Sequence, residues 1–139
     1  MGLSRLRPSH EILSGDSSDV YFTRAEAILA REGMDPLVTM EVFTRQEGIL
    51  CGIDEARNLL GHVLAKAAPG EARLEALKDG DAIAPKEIVL RIRARYRQFG
   101  LYETAFLGML AQSTGWATAA RACVEVAAPD PVISFGARH

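Results

Sequence analysis

Apolar and polar positions along this 139-residue chain alternate between helical and strand periods before the pattern changes in the last third. Tyr21, Phe22, Ala25, Ile28 and Leu29 fall on one side of a predicted helix that stops at Gly33. Ser17 or Ser18 offers its N-cap, with Asp19 in the first turn, where the helix dipole favours an acid. Beyond Pro36, Val38, Met40 and Val42 alternate with Thr39, Glu41 and Phe43, which predicts a strand over 37–45. A second short strand is predicted over 49–52. Ile53, Ala56, Leu60, Val63, Leu64 and Ala67 share a face and predict a helix over 54–67, with Asn58 and His62 turned to solvent. Residues 73–96 alternate again around the turn Asp79-Gly80-Asp81, as two or three strands of a small antiparallel or mixed sheet.

The last third reads differently. Leu101, Tyr102, Ala105, Phe106, Met109 and Leu110 predict a helix with a wide apolar face. Residues 115–128 are dominated by alanine and predict a second helix, packed on the first and mostly buried, because small residues let backbones approach. Trp116, near its start, is expected as a core or interface anchor. Pro129 and Pro131 end that helix, and residues 132–135 read as a strand. Such a strand needs neighbours along its edges. It either joins the sheet already described or opens a further domain. Residues 1–17, with Pro8 and Gly15, read as a flexible arm.

The composition fits one globular domain: 48% hydrophobic and 24% charged residues exclude disorder over most of the length. A net charge of −2 removes the electrostatic argument for nucleic-acid binding, which needs a basic surplus or stripe. No apolar run approaches the roughly 20 residues of a membrane-spanning helix, and residues 1–13 lack the apolar core of a signal peptide. A cytoplasmic protein without a membrane partner is expected. Cys51 and Cys123 form no paired motif and read as reduced, packed thiols, while His10, His62 and His139 show no metal-ligand spacing. No phosphate-binding loop, dinucleotide fingerprint or nucleophile elbow is present. Asp79 and Asp81 read as turn residues rather than metal ligands. Arg91, Arg93, Arg95 and Arg97 recur at every second position, as a solvated sheet face or as a stripe that grips anions.

Two clusters mix polar and aromatic side chains: Asp19-Val20-Tyr21-Phe22 at a helix start, and Phe135-Gly136-Ala137-Arg138 near the last residue. On its own pattern Tyr21 suits the edge of an apolar core stripe, and Arg138 an exposed position. In order with EVF (41–43), ALKDGD (76–81), YETAFLGML (102–110), GWATAARA (115–122) and SFGARH (134–139), these clusters resemble the N-terminal part of nicotinate phosphoribosyltransferases. These are relatives of the nicotinamide and quinolinate enzymes. The resemblance runs from about residue 18 to the last residue.

The resemblance implies an α+β fold, a small mixed sheet with packed helices over residues 18–128, the N-terminal domain of a type II phosphoribosyltransferase. Residues 129–139 would then begin a β/α barrel, with His139 outside any catalytic role. It further implies a homodimer or higher homo-oligomer whose active sites are shared between subunits. Tyr21 of one subunit and Phe135 of the other would sandwich the pyridine ring, with Asp19 nearby and Arg138 facing a carboxylate or phosphate. The implied reaction joins nicotinate to phosphoribosyl pyrophosphate, with Mg²⁺ and ATP used by the complete enzyme, in NAD biosynthesis. The isolated chain is expected to be inactive. Two alternatives stand beside it: a non-catalytic interaction module that keeps the fold, and specificity for quinolinate or nicotinamide.

Overall fold

The computed structural model describes residues 7–136. The elements follow in the order α1 (His10–Ser14), α2 (Val20–Arg31), β1 (Leu37–Phe43), β2 (Gly48–Ile49), α3 (Ile53–Val63), β3 (Arg73–Ala76), β4 (Ala82–Ile83), β5 (Ile88–Arg95), α4 (Tyr96–Phe99) and α5 (Glu103–Ala127). This is an α+β domain, and all of its strand pairings are antiparallel. β5 is central in a three-stranded sheet of order β1-β5-β3, while β2 and β4 form a separate two-stranded ribbon.

Side-chain alternation decides which face of the sheet is covered. Val89, Leu90, Ile92 and Ala94 of β5 are buried, and Arg91, Arg93 and Arg95 occupy the other face. β1 follows the same period, with Val38, Met40 and Val42 packed on the core while Leu37, Thr39, Glu41 and Phe43 face outward. The arginines on the open face are mostly neutralised. Arg91 binds Glu41 at 2.8 Å and Glu75 at 3.0 Å, and Arg95 binds Glu71 at 3.2 Å. Arg97 lies beyond the strand, in α4, and binds Glu26 at 2.8 Å. The solvated-face reading of the stripe therefore describes Arg91, Arg93 and Arg95.

Against the covered face pack α3 and the first half of α5, through Ile53, Ala56, Leu59, Leu60, Phe106 and Leu110. The start of α3 is capped from a distance: the Asp79 carboxylate accepts the amide of Ile53 at 2.8 Å and that of Asp54 at 3.4 Å. Asp81 likewise accepts the Lys78 amide at 2.8 Å, so the Asp79-Gly80-Asp81 segment is a turn whose carboxylates serve backbone donors. Gly52 precedes α3 with φ +93°, and a Cβ there would meet the Met109 carbonyl oxygen at 2.8 Å. Only glycine satisfies both conditions.

Several expectations need correction. Residues 10–14 are not a loose arm: they form a helical turn whose Ile12 and Leu13 pack on the core. Asp19, expected inside the first turn of α2, occupies the N-cap position itself. The two helices expected over 101–110 and 115–128 are one helix of 25 residues. Ser113, Thr114 and Gly115 do not break it, because Thr114 and Thr118 spend their hydroxyls on the neighbouring ribbon. Thr114 Oγ1 accepts the Cys51 amide at 3.1 Å and Thr118 Oγ1 accepts the Ile49 amide at 2.9 Å. One helical turn spans about 5–6 Å and two strand residues about 6–7 Å, so hydroxyls four residues apart match alternate amides of β2 and its extension.

The distal half of α5 is also not buried. Trp116 is 60% exposed and Val126 88%. Cys123 is exposed as well, in place of the packed thiol expected, and neither cysteine is in a disulfide. Residues 132–135 pair with no strand among the described residues and are exposed throughout. A strand assigned on alternation alone therefore has no ladder here.

Candidate functional site

The N-terminus of α2 is built against the start of α5. Asp19 has extended backbone (φ −61°, ψ 141°), which suits an N-cap, yet its side chain accepts nothing from the amides of its own helix. It is turned to α5 instead. The Asp19 amide donates to Thr104 Oγ1 at 3.1 Å, and the Thr104 hydroxyl donates to Asp19 Oδ2 at 3.1 Å. The hydroxyl of Ser18 donates to the carbonyl of Leu101. Three polar contacts thus tie residues 18–19 to 101–104.

Tyr21 extends from this junction. Its hydroxyl donates to Asp19 Oδ2 at 3.4 Å, and its ring lies tilted against Phe22 with centroids 4.2 Å apart. Phe22 is buried and anchors α2, whereas Tyr21 remains 58% exposed. The position is not part of a core stripe. The phenol is pushed above its usual value, first by loss of solvent on its packed side and then by the carboxylates of Asp19 and Glu103. Glu103 opens α5, and burial pushes its carboxyl up as well. The α5 dipole favours a charge at that place, but desolvation outweighs it. The groups that act on the Tyr21 hydroxyl are all acidic, with Tyr96 adding the smallest effect.

The structure brings Asp19 and Tyr21 together and adds Thr104 and Glu103. Phe135 is 71% exposed and stacks on no described aromatic ring. Arg138 and His139 lie outside the described residues. Nothing in the sequence alone marks Thr104 or Glu103 for a role, although both sit in the YETAFLGML motif. Eighty-five positions separate Thr104 from Asp19, and no periodic signal connects them.

A concavity lies along α5. It is an apolar groove of about 730 Å³ between the loop after β1 and the helix, floored by Leu50, Ile83, Val89 and Leu110. Its ionisable lining residues are Arg45 and Glu47, both on the loop after β1. Among the described residues no group of three or more His, Cys, Asp or Glu could hold a metal ion. No helix among them is long and apolar enough to cross a membrane.

Residues 19–114 match the family model described as the quinolinate phosphoribosyl transferase N-terminal domain. The match begins at Asp19 and takes in Tyr21, Glu103 and Thr104. Among solved structures, the whole chain superposes on a nicotinate-nucleotide pyrophosphorylase from Pyrococcus furiosus, with a TM-score of 0.80 and 36% identity. The nicotinate-nucleotide pyrophosphorylase from Francisella tularensis matches over 81% of the chain at TM-score 0.57 and 20% identity, which supports the fold. The chain spans 36% of the Pyrococcus protein and 41% of the Francisella one. The resemblance read from sequence pointed to this group of pyridine phosphoribosyltransferases with nicotinate as substrate, and the comparisons establish the group. The chain belongs to the quinolinate phosphoribosyltransferase family, and residues 19–114 are the N-terminal domain of that family.

Proposed function

We propose that the chain is the N-terminal part of a pyridine phosphoribosyltransferase that acts on nicotinate in NAD biosynthesis, in the cytoplasm. The observation that carries this reading is Tyr21: an aromatic face left open to solvent at the entrance of α2, inside the matched domain. A core residue would bury that ring, while a pyridine-binding residue must present it. In this reading Tyr21 of one subunit and Phe135 of a second enclose the pyridine, each face contributing about 0.5–1.5 kcal/mol beyond its buried area. Asp19 steadies the Tyr21 hydroxyl. Arg138 grips a carboxylate or phosphate in two-point geometry.

The reaction forms a bond from the pyridine nitrogen to the ribose anomeric carbon as the bond to pyrophosphate breaks. Mg²⁺ and ATP belong to the complete enzyme in this reading, and this chain alone forms no product. The choice of nicotinate over quinolinate rests on the E-T-x-x-L-G run at 103–108 and the F-G-x-R-H ending at 135–139. Quinolinate specificity is favoured by the description of the matching family.

The test joins the chain to the remaining part of the Pyrococcus relative and supplies phosphoribosyl pyrophosphate with nicotinate, quinolinate or nicotinamide, with and without ATP. Nicotinate mononucleotide formed fastest from nicotinate supports the proposal. Product from quinolinate alone transfers the assignment to that substrate, and no product from any of the three refutes the enzymatic reading.

A second reading, a non-catalytic interaction module, is favoured by the exposed Trp116, Val124 and Val126 on distal α5. A monodisperse assembly whose size and stability ignore every pyridine would support it.

A further inference from the structure

The two hydrogen bonds of Thr104 carry an inference that deepens the pyridine reading and rests on it. An aspartate at a helix N-cap ordinarily turns its carboxylate back onto the amides of its own first turn. Asp19 does not, and its Oδ2 receives the hydroxyls of Thr104 and Tyr21 instead. A carboxylate diverted in this way needs an outside group to hold it. Thr104 is that group, because its hydroxyl donates to the carboxylate while accepting the amide of the same residue. A hydroxyl is the smallest group able to do both at once.

The consequence falls on Tyr21. Its ring is supported on one side by Phe22, and its hydroxyl is tied to the fixed carboxylate. The outer face stays open. Without the tie, an exposed tyrosine samples several χ1 rotamers and must be ordered again when a ligand arrives.

We propose that Thr104 is a positioning residue that locks Asp19, and through it Tyr21, in one rotamer with the outer ring face presented to a pyridine. The side chain at 104 touches no ligand in this account. Its role is to reduce the ordering cost of binding.

The experiment measures three-bond couplings from the Tyr21 ring carbon to the backbone by NMR in this chain and in Thr104→Val and Thr104→Ser. The unaltered chain is expected to show a single χ1 rotamer. Thr104→Val keeps the shape but loses both bonds, and should give averaged couplings at Tyr21 with those of Tyr96 unchanged. Thr104→Ser should restore the single rotamer. A loss of global stability alone would not move native-state couplings, so Thr104→Val that folds with Tyr21 unaveraged overturns the proposal. Should Thr104→Val fail to fold, averaged couplings in the unaltered chain overturn it equally, and a single rotamer that averages in Thr104→Ala supports it. No pyridine is present in these measurements. A locked Tyr21 in a joined enzyme that ignores all pyridines would sink the functional reading and leave only the hold of Thr104 on Asp19 and Tyr21 standing.

Discussion

Asp79 holds the first amides of α3 from across a turn, accepting Ile53 N–H at 2.8 Å and Asp54 N–H at 3.4 Å. It replaces the cap that Gly52, without a side chain, cannot supply. Removing it leaves two helix-end donors, one of them half-shielded, without their acceptor. Asp79→Ala should lower unfolding free energy by about 1–2 kcal/mol in urea titration, with Asp79→Asn losing less.

Two glycines flanking and within α3 should respond in opposite directions. Gly52 combines φ +93° with a Met109 carbonyl in the way of any Cβ, so Gly52→Ala should cost about 1–3 kcal/mol. Gly61 lies exposed inside the helix with no atom within 4 Å of the added carbon. There Gly61→Ala should add about 0.5–1 kcal/mol. Thermal unfolding of the two variants checks both signs.

The link between α5 and β2 runs through hydroxyls. Thr118→Val preserves the side-chain shape but strips the Ile49 amide of its acceptor, at a cost of about 1–3 kcal/mol. Hydrogen exchange should quicken at Ile49 while the β1-β5 ladder stays protected.

Glu103 gives a pH signature. Burial raises its folded pKa above the ordinary value of 4.5, so the unfolded chain ionises first as pH rises. Stability is therefore lost as pH climbs from the ordinary value through the folded one. Glu103→Gln removes that loss. The variant should gain on the unaltered chain between pH 4 and pH 7, read by urea midpoints at each pH.

Legibility in the sequence followed periodicity. β1 and β5 were readable because one face is buried and the other carries Thr39, Glu41, Arg91 and Arg93, giving a clean alternation. Distal α5 shows no period because alanine places little bulk on any side, and its continuity rests on Thr114 and Thr118 meeting a strand more than sixty residues earlier. The helical turn at 10–14 is too short to show a period. Alternation at 132–135 suggested a strand, yet a strand exists only with a partner, which no local pattern supplies.

The site divides along the same line. Tyr21 was singled out through its resemblance, since its spacing equally suited a core stripe, and its exposure decides against the core. Thr104 had no local mark, because its meaning lies in a contact made only when α2 and α5 meet.

A complementation assay probes the shared pyridine site most directly. In the joined enzyme, Tyr21→Ala and Phe135→Ala should each lose activity on nicotinate when assayed alone. Mixed and allowed to exchange subunits, they should regain about a quarter of the unaltered activity, since half of random dimers are hybrids and each hybrid carries one undamaged site of two. Mixtures that stay as inactive as their components, although exchange is shown by mass, would contradict a ring clasped between Tyr21 of one subunit and Phe135 of another.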